Sequence, residues 1–134
     1  MDIPEPQIDE LKRHAREASL RAYAPYSKFP VGAAVLTTDG AICVGANVEN
    51  ASYGLSMCAE RNAICHAVAQ GARAIRAVAV YTPTAIPTPP CGACRQVIAE
   101  FGTDVLVICN GSGGNEQRHT LADLLPAAFG PRHL

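Results

Sequence analysis

The stretch RAVAVYTPTAIPTPPCGACRQVIAEFGTDVLVIC, residues 76–109, decides the fold. Arg76 to Thr82 is rich in Val and Ala and predicts a strand. Thr82 to Pro90 holds four prolines in nine residues and must be a loop. Cys91 to Phe101 predicts a helix, closed by Gly102. Thr103 to Cys109 predicts a second, buried strand. Strand, loop, helix and strand in that order point to the α/β class.

Working outward, Met57 to Gln70 has no Gly or Pro and much Ala and Ile, and Gly71 follows as a C-cap signal, so a largely buried helix is expected. Asn50 to Gly54 is a turn-rich loop. Val31 to Thr37 and Ala41 to Val48 predict two strands joined at the hairpin dipeptide Asp39-Gly40. Both are fairly apolar, which predicts a covered sheet. Ile8, Leu11, Ala15, Ala18 and Ala22 recur at helical spacing, so Pro6 to Ala22 predicts an amphipathic helix ended by Pro25. Beyond the decisive stretch, Gly111 to Gln117 is a polar loop or hairpin tip, Leu121 to Leu125 a short helix and Pro126 to Leu134 a tail. The expected architecture is a mixed β-sheet with helices on both faces, in one domain spanning residues 1–134.

Composition bounds the function. Net charge is −1 and the basic residues are scattered. No Lys/Arg stripe offers the footprint that a nucleic-acid backbone requires, so no nucleic-acid partner is expected. The acidic N-terminus lacks the basic start and apolar run of a signal peptide. No apolar stretch approaches the roughly 18–20 residues of a membrane span. A cytoplasmic protein without membrane contact is therefore expected. In a reducing compartment the six cysteines suit a metal site or buried thiols better than disulfides.

Two segments carry chemistry: Cys58-Ala59-Glu60 and Pro90-Cys91-Gly92-Ala93-Cys94. Each opens a predicted helix. Cys91 and Cys94 are three apart, so both sulfurs face the same way in a first helical turn. A thiolate from Cys58 would complete three protein ligands and leave one tetrahedral position open, as a catalytic zinc requires. Helix N-termini favour the thiolate form. Glu60, two residues after Cys58, can reach a metal-bound water without being a ligand, which is the arrangement of zinc nucleobase deaminases. A CxxC alone leaves a redox pair or half of a structural zinc site open. Cys43, Cys65 and Cys109 are expected as core thiols. His14, His66, His119 and His133 have no ligand spacing and are expected at the surface or its boundary. The Gly-rich run 111–114 lacks the phosphate-loop pattern.

The stretches AYAPYSKFPVGAAV (22–35), GANVENASYGLSMCAERNAI (45–64), PCGACRQVIAEF (90–101) and LLPAAFGP (124–131) closely resemble the small, homotetrameric, zinc-dependent cytidine deaminases. The resemblance implies one zinc per chain on Cys58, Cys91 and Cys94, with Glu60 shuttling protons. It implies that Asn47 and Glu49 hold the ribose 3′-hydroxyl and that Phe29 packs against the pyrimidine. Ala51, Tyr53 and Phe129 would reach the site of a neighbouring subunit, and Arg61 would hydrogen-bond a ligating sulfur. The implied reaction is hydrolysis of cytidine, and of deoxycytidine, to uridine or deoxyuridine and ammonia in pyrimidine salvage. Deamination of another aminopyrimidine nucleoside, such as blasticidin S, is the alternative. Asn62 and His66 are the least expected residues on the catalytic helix. A zinc of +2 on three thiolates sums to −1, which disfavours hydroxide. Helix N-termini and a hydrogen bond from Arg61 would offset that charge.

Overall fold

A computed structural model describes residues 2–134 of the chain. The elements are α1 (Glu5–Ser19), β1 (Gly32–Thr37), β2 (Ile42–Ala46), α2 (Ala59–Ala69), β3 (Ile75–Tyr81), α3 (Gly92–Glu100), β4 (Leu106–Asn110), β5 (Glu116–Thr120) and α4 (Leu121–Leu124), with single 3₁₀ turns at Tyr53–Leu55 and Pro131–His133. The strands form one sheet in the order β2-β1-β3-β4-β5. β1 pairs antiparallel with both β2 and β3, β3 runs parallel to β4, and β4 pairs antiparallel with β5. The expected mixed sheet is observed, and helices cover both faces.

Each face has its own apolar layer. Ile8, Leu11 and Ala15 of α1 pack on Ala34, Leu36, Ala77, Ala79 and Ile108. On the opposite face, Ala59, Ala63, Ile64 and Ala67 of α2 and Ile98 of α3 pack on Ala33, Val35, Val78 and Val80. The alternation along β1 and β3 follows from the period of two along a strand. Two glycines let the helices lie close. A Cβ on Gly32 would stand 1.9 Å from the carbonyl oxygen of Ala15, and one on Gly45 would stand 2.3 Å from the amide nitrogen of Ala63. The second contact seats α2, and with it Cys58 and Glu60, against β2.

Several expectations are corrected. α1 ends at Ser19, three residues before Ala22, and a hydrogen-bonded turn carries the chain on, with Arg21 and Ala22 donating to Ala18 and Ser19. β2 is an edge strand and only half-buried, so it does not sit inside the sheet as β1 does. Asn62 and His66 cover that edge: Asn62 Nδ2 donates to the Ala46 carbonyl at 2.8 Å and His66 Nδ1 to that of Val44 at 3.1 Å. Unpaired edge carbonyls invite pairing with other chains, and these two side chains occupy them. The polar segment after Gly111 is a hairpin whose return arm is β5. Cys43 and Cys109 are buried, whereas Cys65 is exposed on α2 rather than a core thiol. Among the histidines, His14 and His119 are half-buried, and His66 and His133 are exposed.

Candidate active site

α2 and α3 begin beside each other, with Cys58 and Cys91 as their N-cap residues, both in extended backbone. Neither side chain caps its own helix, so both sulfurs are free to turn toward a shared centre. Cys94 lies in the first turn of α3. The Sγ atoms of Cys58 and Cys91 are 3.9 Å apart and those of Cys91 and Cys94 3.5 Å. All three lie within 4.8 Å of one another. Four ligands around a zinc at a Zn–S distance of about 2.3 Å place the sulfurs about 3.8 Å apart. The three thiols therefore fit the ion, and a fourth position stays open.

The thiols differ in their hold on protons. Hydrogen bonding with Cys94, joined by Arg61 and Cys91, outweighs burial and lowers Cys58 to about 5. The same hydrogen bond with Cys58, together with burial and the charge of Glu60, pushes Cys94 upward. Arg61 Nη2 donates to Cys58 Sγ at 3.4 Å, the contact that charge balance asks for. Cys109 is raised to about 11, first by burial and then by the charge of Glu60, and takes no part in the cluster.

Glu60 is 4% exposed. Burial raises its carboxyl above the ordinary range, and the negative charge of Cys58 adds to that. Glu60 stands outside the three-sulfur cluster but lines a cavity of about 370 Å³ with Cys58, Ala59 and Cys91. That volume suits a small ligand. Phe29, Asn47 and Glu49 line the same cavity. They are brought there because the segment 47–49 is pinned on both sides. Tyr23 donates its backbone N–H to the Asn47 carbonyl and accepts at its own carbonyl from Glu49 N, and Val48 and Met57 exchange backbone hydrogen bonds one residue before Cys58.

Both polar residues also brace the loop opposite. Asn47 donates through Nδ2 to the Phe29 carbonyl at 2.9 Å and accepts through Oδ1 from Val31 N at 2.9 Å. Glu49 Oε1 accepts from the backbone N–H groups of Tyr26 and Ser27 at 3.0 and 3.1 Å, and its Oε2 accepts from the Ser27 hydroxyl. The Ser27 hydroxyl and these backbone donors hold its carboxyl below the usual range.

Three of the residues expected to contact substrate lie outside this cavity in the single chain. Ala51 is exposed, and Tyr53, 75% exposed, lines a neighbouring depression with Tyr26, Glu49 and Ser56. Phe129 is exposed, stacks on His133 with ring centres 5.4 Å apart, and lines a separate cavity with Leu121 and Leu125. Conversely, Ser27, Val31, Val80, Thr82, Thr88 and Pro89 line the central cavity without having been singled out. The place of Thr88 and Pro89 just before Cys91 was the available signal.

A buried carboxyl beside a metal site, yet not part of it, separates zinc-dependent deaminases from structural zinc modules, and the mixed sheet with helix-borne cysteines places the chain in that class. Comparison with known proteins agrees. Residues 6–110 match the family described as "Cytidine and deoxycytidylate deaminase zinc-binding region". A cytidine deaminase of Sporosarcina psychrophila is 46% identical over 95% of this chain and 94% of its own length. One from Halalkalibacterium halodurans is 50% identical over 89% of this chain and 91% of its own. The crystal structure of cytidine deaminase from Burkholderia pseudomallei, 48% identical, superposes with a TM-score of 0.87 over 90% of this chain and 98% of that one. The chain belongs to the cytidine and deoxycytidylate deaminase family, whose zinc-binding region it carries.

Proposed function

We propose that this protein is a cytidine deaminase, a hydrolase that converts cytidine, and deoxycytidine, to uridine or deoxyuridine with release of ammonia. One observation carries the reading: the Glu60 carboxyl, buried but outside the sulfur cluster, shares one cavity with Cys58 and Cys91 and with Asn47 and Glu49. We assign Cys58, Cys91 and Cys94 as the ligands of one zinc per chain. When bound there, zinc supplies the Lewis acidity that draws the pKa of the attacking water toward about 7. Glu60 takes the proton that this water gives up as its oxygen bonds to C4 of the cytosine ring. It passes that proton to N3 as the C4=N3 double bond opens, then takes the remaining proton from the oxygen now on C4 and delivers it to the amine, so the C4 carbonyl forms, the bond from C4 to the amine breaks and ammonia leaves. One carboxyl thus serves as base and acid in turn. Its burial supports this, because a carboxyl with a raised pKa is suited to returning a proton.

Phe29 is the wall against the pyrimidine, and Asn47 and Glu49 receive the ribose 3′-hydroxyl. Three donors already hold the Glu49 carboxylate and one acceptor position beside the cavity remains for a sugar hydroxyl, which favours a nucleoside over a free base. The relatives named above are cytidine deaminases, which disfavours blasticidin S as the substrate. We read the whole chain as one catalytic domain acting in pyrimidine salvage in the cytoplasm. In support, no helix among the described residues is long and apolar enough to cross a membrane. We further propose a homotetramer in which Ala51, Tyr53 and Phe129 complete a neighbour's site. Their exposure, away from the cavity of their own chain, supports that assembly.

Replacing Glu60 with Gln tests the reading. The variant should keep its zinc and its fold and lose turnover by more than the roughly 10²–10⁴ usual for an acid–base group. Near-normal turnover would refute the role.

A further inference from the structure

We infer that Ser27 is a positioning residue for ribose recognition: its hydroxyl fixes the rotamer and acceptor state of Glu49 and so makes the site selective for a sugar hydroxyl. The inference rests on the reading of Glu49 as the ribose acceptor.

The geometry around Ser27 leaves its hydroxyl little freedom. Ser27 Oγ accepts the backbone N–H of Phe29 at 3.1 Å. A backbone N–H can only donate, so the hydroxyl proton must point elsewhere, and Glu49 Oε2 receives it. Phe29 N is brought back to Ser27 by the turn between them. Lys28 donates its backbone N–H to Ala24 O at 3.0 Å and takes a left-handed φ of +58°, uncommon for a residue with a side chain. Such a conformation persists where the surroundings hold it.

The consequence for Glu49 follows from counting acceptor positions. A carboxylate offers about four lone-pair sites. Tyr26 N and Ser27 N engage Oε1, and the Ser27 hydroxyl engages Oε2, which leaves one acceptor position on Oε2 beside the cavity. All three contacts are donors, and they stabilise the ionised form, in keeping with the lowered pKa of Glu49. Glu49 is therefore held as an acceptor-only group. It suits a ligand that brings a hydroxyl hydrogen, whereas a ligand without one leaves the remaining acceptor position unfilled. The same Ser27 oxygen accepts from Phe29 N, but Asn47 Nδ2 also holds the Phe29 carbonyl, so the apolar wall keeps a tether when the Ser27 hydroxyl is removed. A serine serving only to brace the turn would affect all substrates alike.

The test compares cytidine with 3′-deoxycytidine in the zinc-loaded enzyme. Ser27→Ala should raise KM for cytidine about tenfold with kcat nearly unchanged. It should leave 3′-deoxycytidine almost unaffected, so that discrimination between the two falls about tenfold. Ser27→Thr, which keeps the hydroxyl, should retain discrimination. If Ser27→Ala does not fold, Ser27→Cys, with a weak donor of similar size, reads the same ratio. Equal losses on both substrates, or unchanged discrimination, would overturn the inference. Glu49→Ala is the control. If it discriminates poorly while Ser27→Ala discriminates normally, the role of Ser27 fails alone. If Glu49→Ala still discriminates fully, ribose recognition by Glu49 fails, and the inference with it.

Discussion

Arg61 Nη2 stands 3.4 Å from Cys58 Sγ, three residues along the chain at the start of the same helix. Three thiolates outweigh a divalent ion by one charge, and this guanidinium is the cation placed to offset it. Groups that hydrogen-bond metal ligands typically change affinity by about 10–100-fold when removed. Arg61→Ala should weaken zinc binding by that order, measured by competition with a chromogenic chelator. Unchanged affinity would mean that Arg61 balances no charge.

The sulfur cluster makes a simpler demand. Purified protein should contain one zinc per chain by elemental analysis, and chelation should abolish activity until zinc is restored. Cys91→Ala should lose metal and activity together. Full zinc content in that variant would remove Cys91 from the site.

A network of charges ties α1 to the edge strand β5. Arg118 bridges Glu5 and Glu116, and Lys12 also reaches Glu116. Burial raises Glu116, but hydrogen bonds from Lys12 and Arg118 outweigh it, so its folded pKa is lowered; Glu5 is lowered by its hydrogen bond to Arg118. Lowered carboxylates contribute stability above their unfolded pKa and lose it as pH falls through the folded value. Arg118→Ala should therefore lower Tm near neutral pH by a few degrees at most, since the pairs are largely exposed. The gap should narrow as pH falls below the ordinary glutamate range of about 4.3 and through the lowered folded values. A gap that does not change with pH would point to lost packing instead.

In the proposed assembly, Phe129 would link activity to association. If it walls a neighbour's pocket, Phe129→Ala should raise KM or lower kcat at full zinc content. Mixing Phe129→Ala chains with Glu60→Gln chains should restore part of the activity, because mixed oligomers contain sites built from one good half of each. Mixtures shown to exchange subunits, yet without recovery, would confine Phe129 to its own chain.

These predictions draw on residues that differ in how far sequence discloses them. Cys58, Glu60, Cys91 and Cys94 were legible because spacing at a helix start fixes where a side chain can point. The strands with buried apolar runs were legible for a similar reason. β5 was not, because EQRHT is an outer strand with no apolar face and reads as loop. Cys65 was misplaced because Cys58, the extended N-cap of α2, does not mark the helix's buried face, and residue 65 falls off the buried stripe of Ala59, Ala63, Ile64 and Ala67. Thr82 and Thr88 entered the cavity through the proline-rich loop, whose path no periodicity encodes. Ala51, Tyr53 and Phe129 lie outside the cavity of their own chain, and the proposed shared site would need a second copy to bring them to Glu60.

The most direct measurement is ammonia release by the purified, zinc-loaded enzyme from cytidine, beside cytosine and a cytidine-containing oligonucleotide. The account predicts one ammonia and one uridine for each cytidine consumed, with little or no release from the free base or the oligonucleotide. Cytidine left intact by protein carrying its full zinc, or a faster reaction with cytosine or the oligonucleotide, would contradict it.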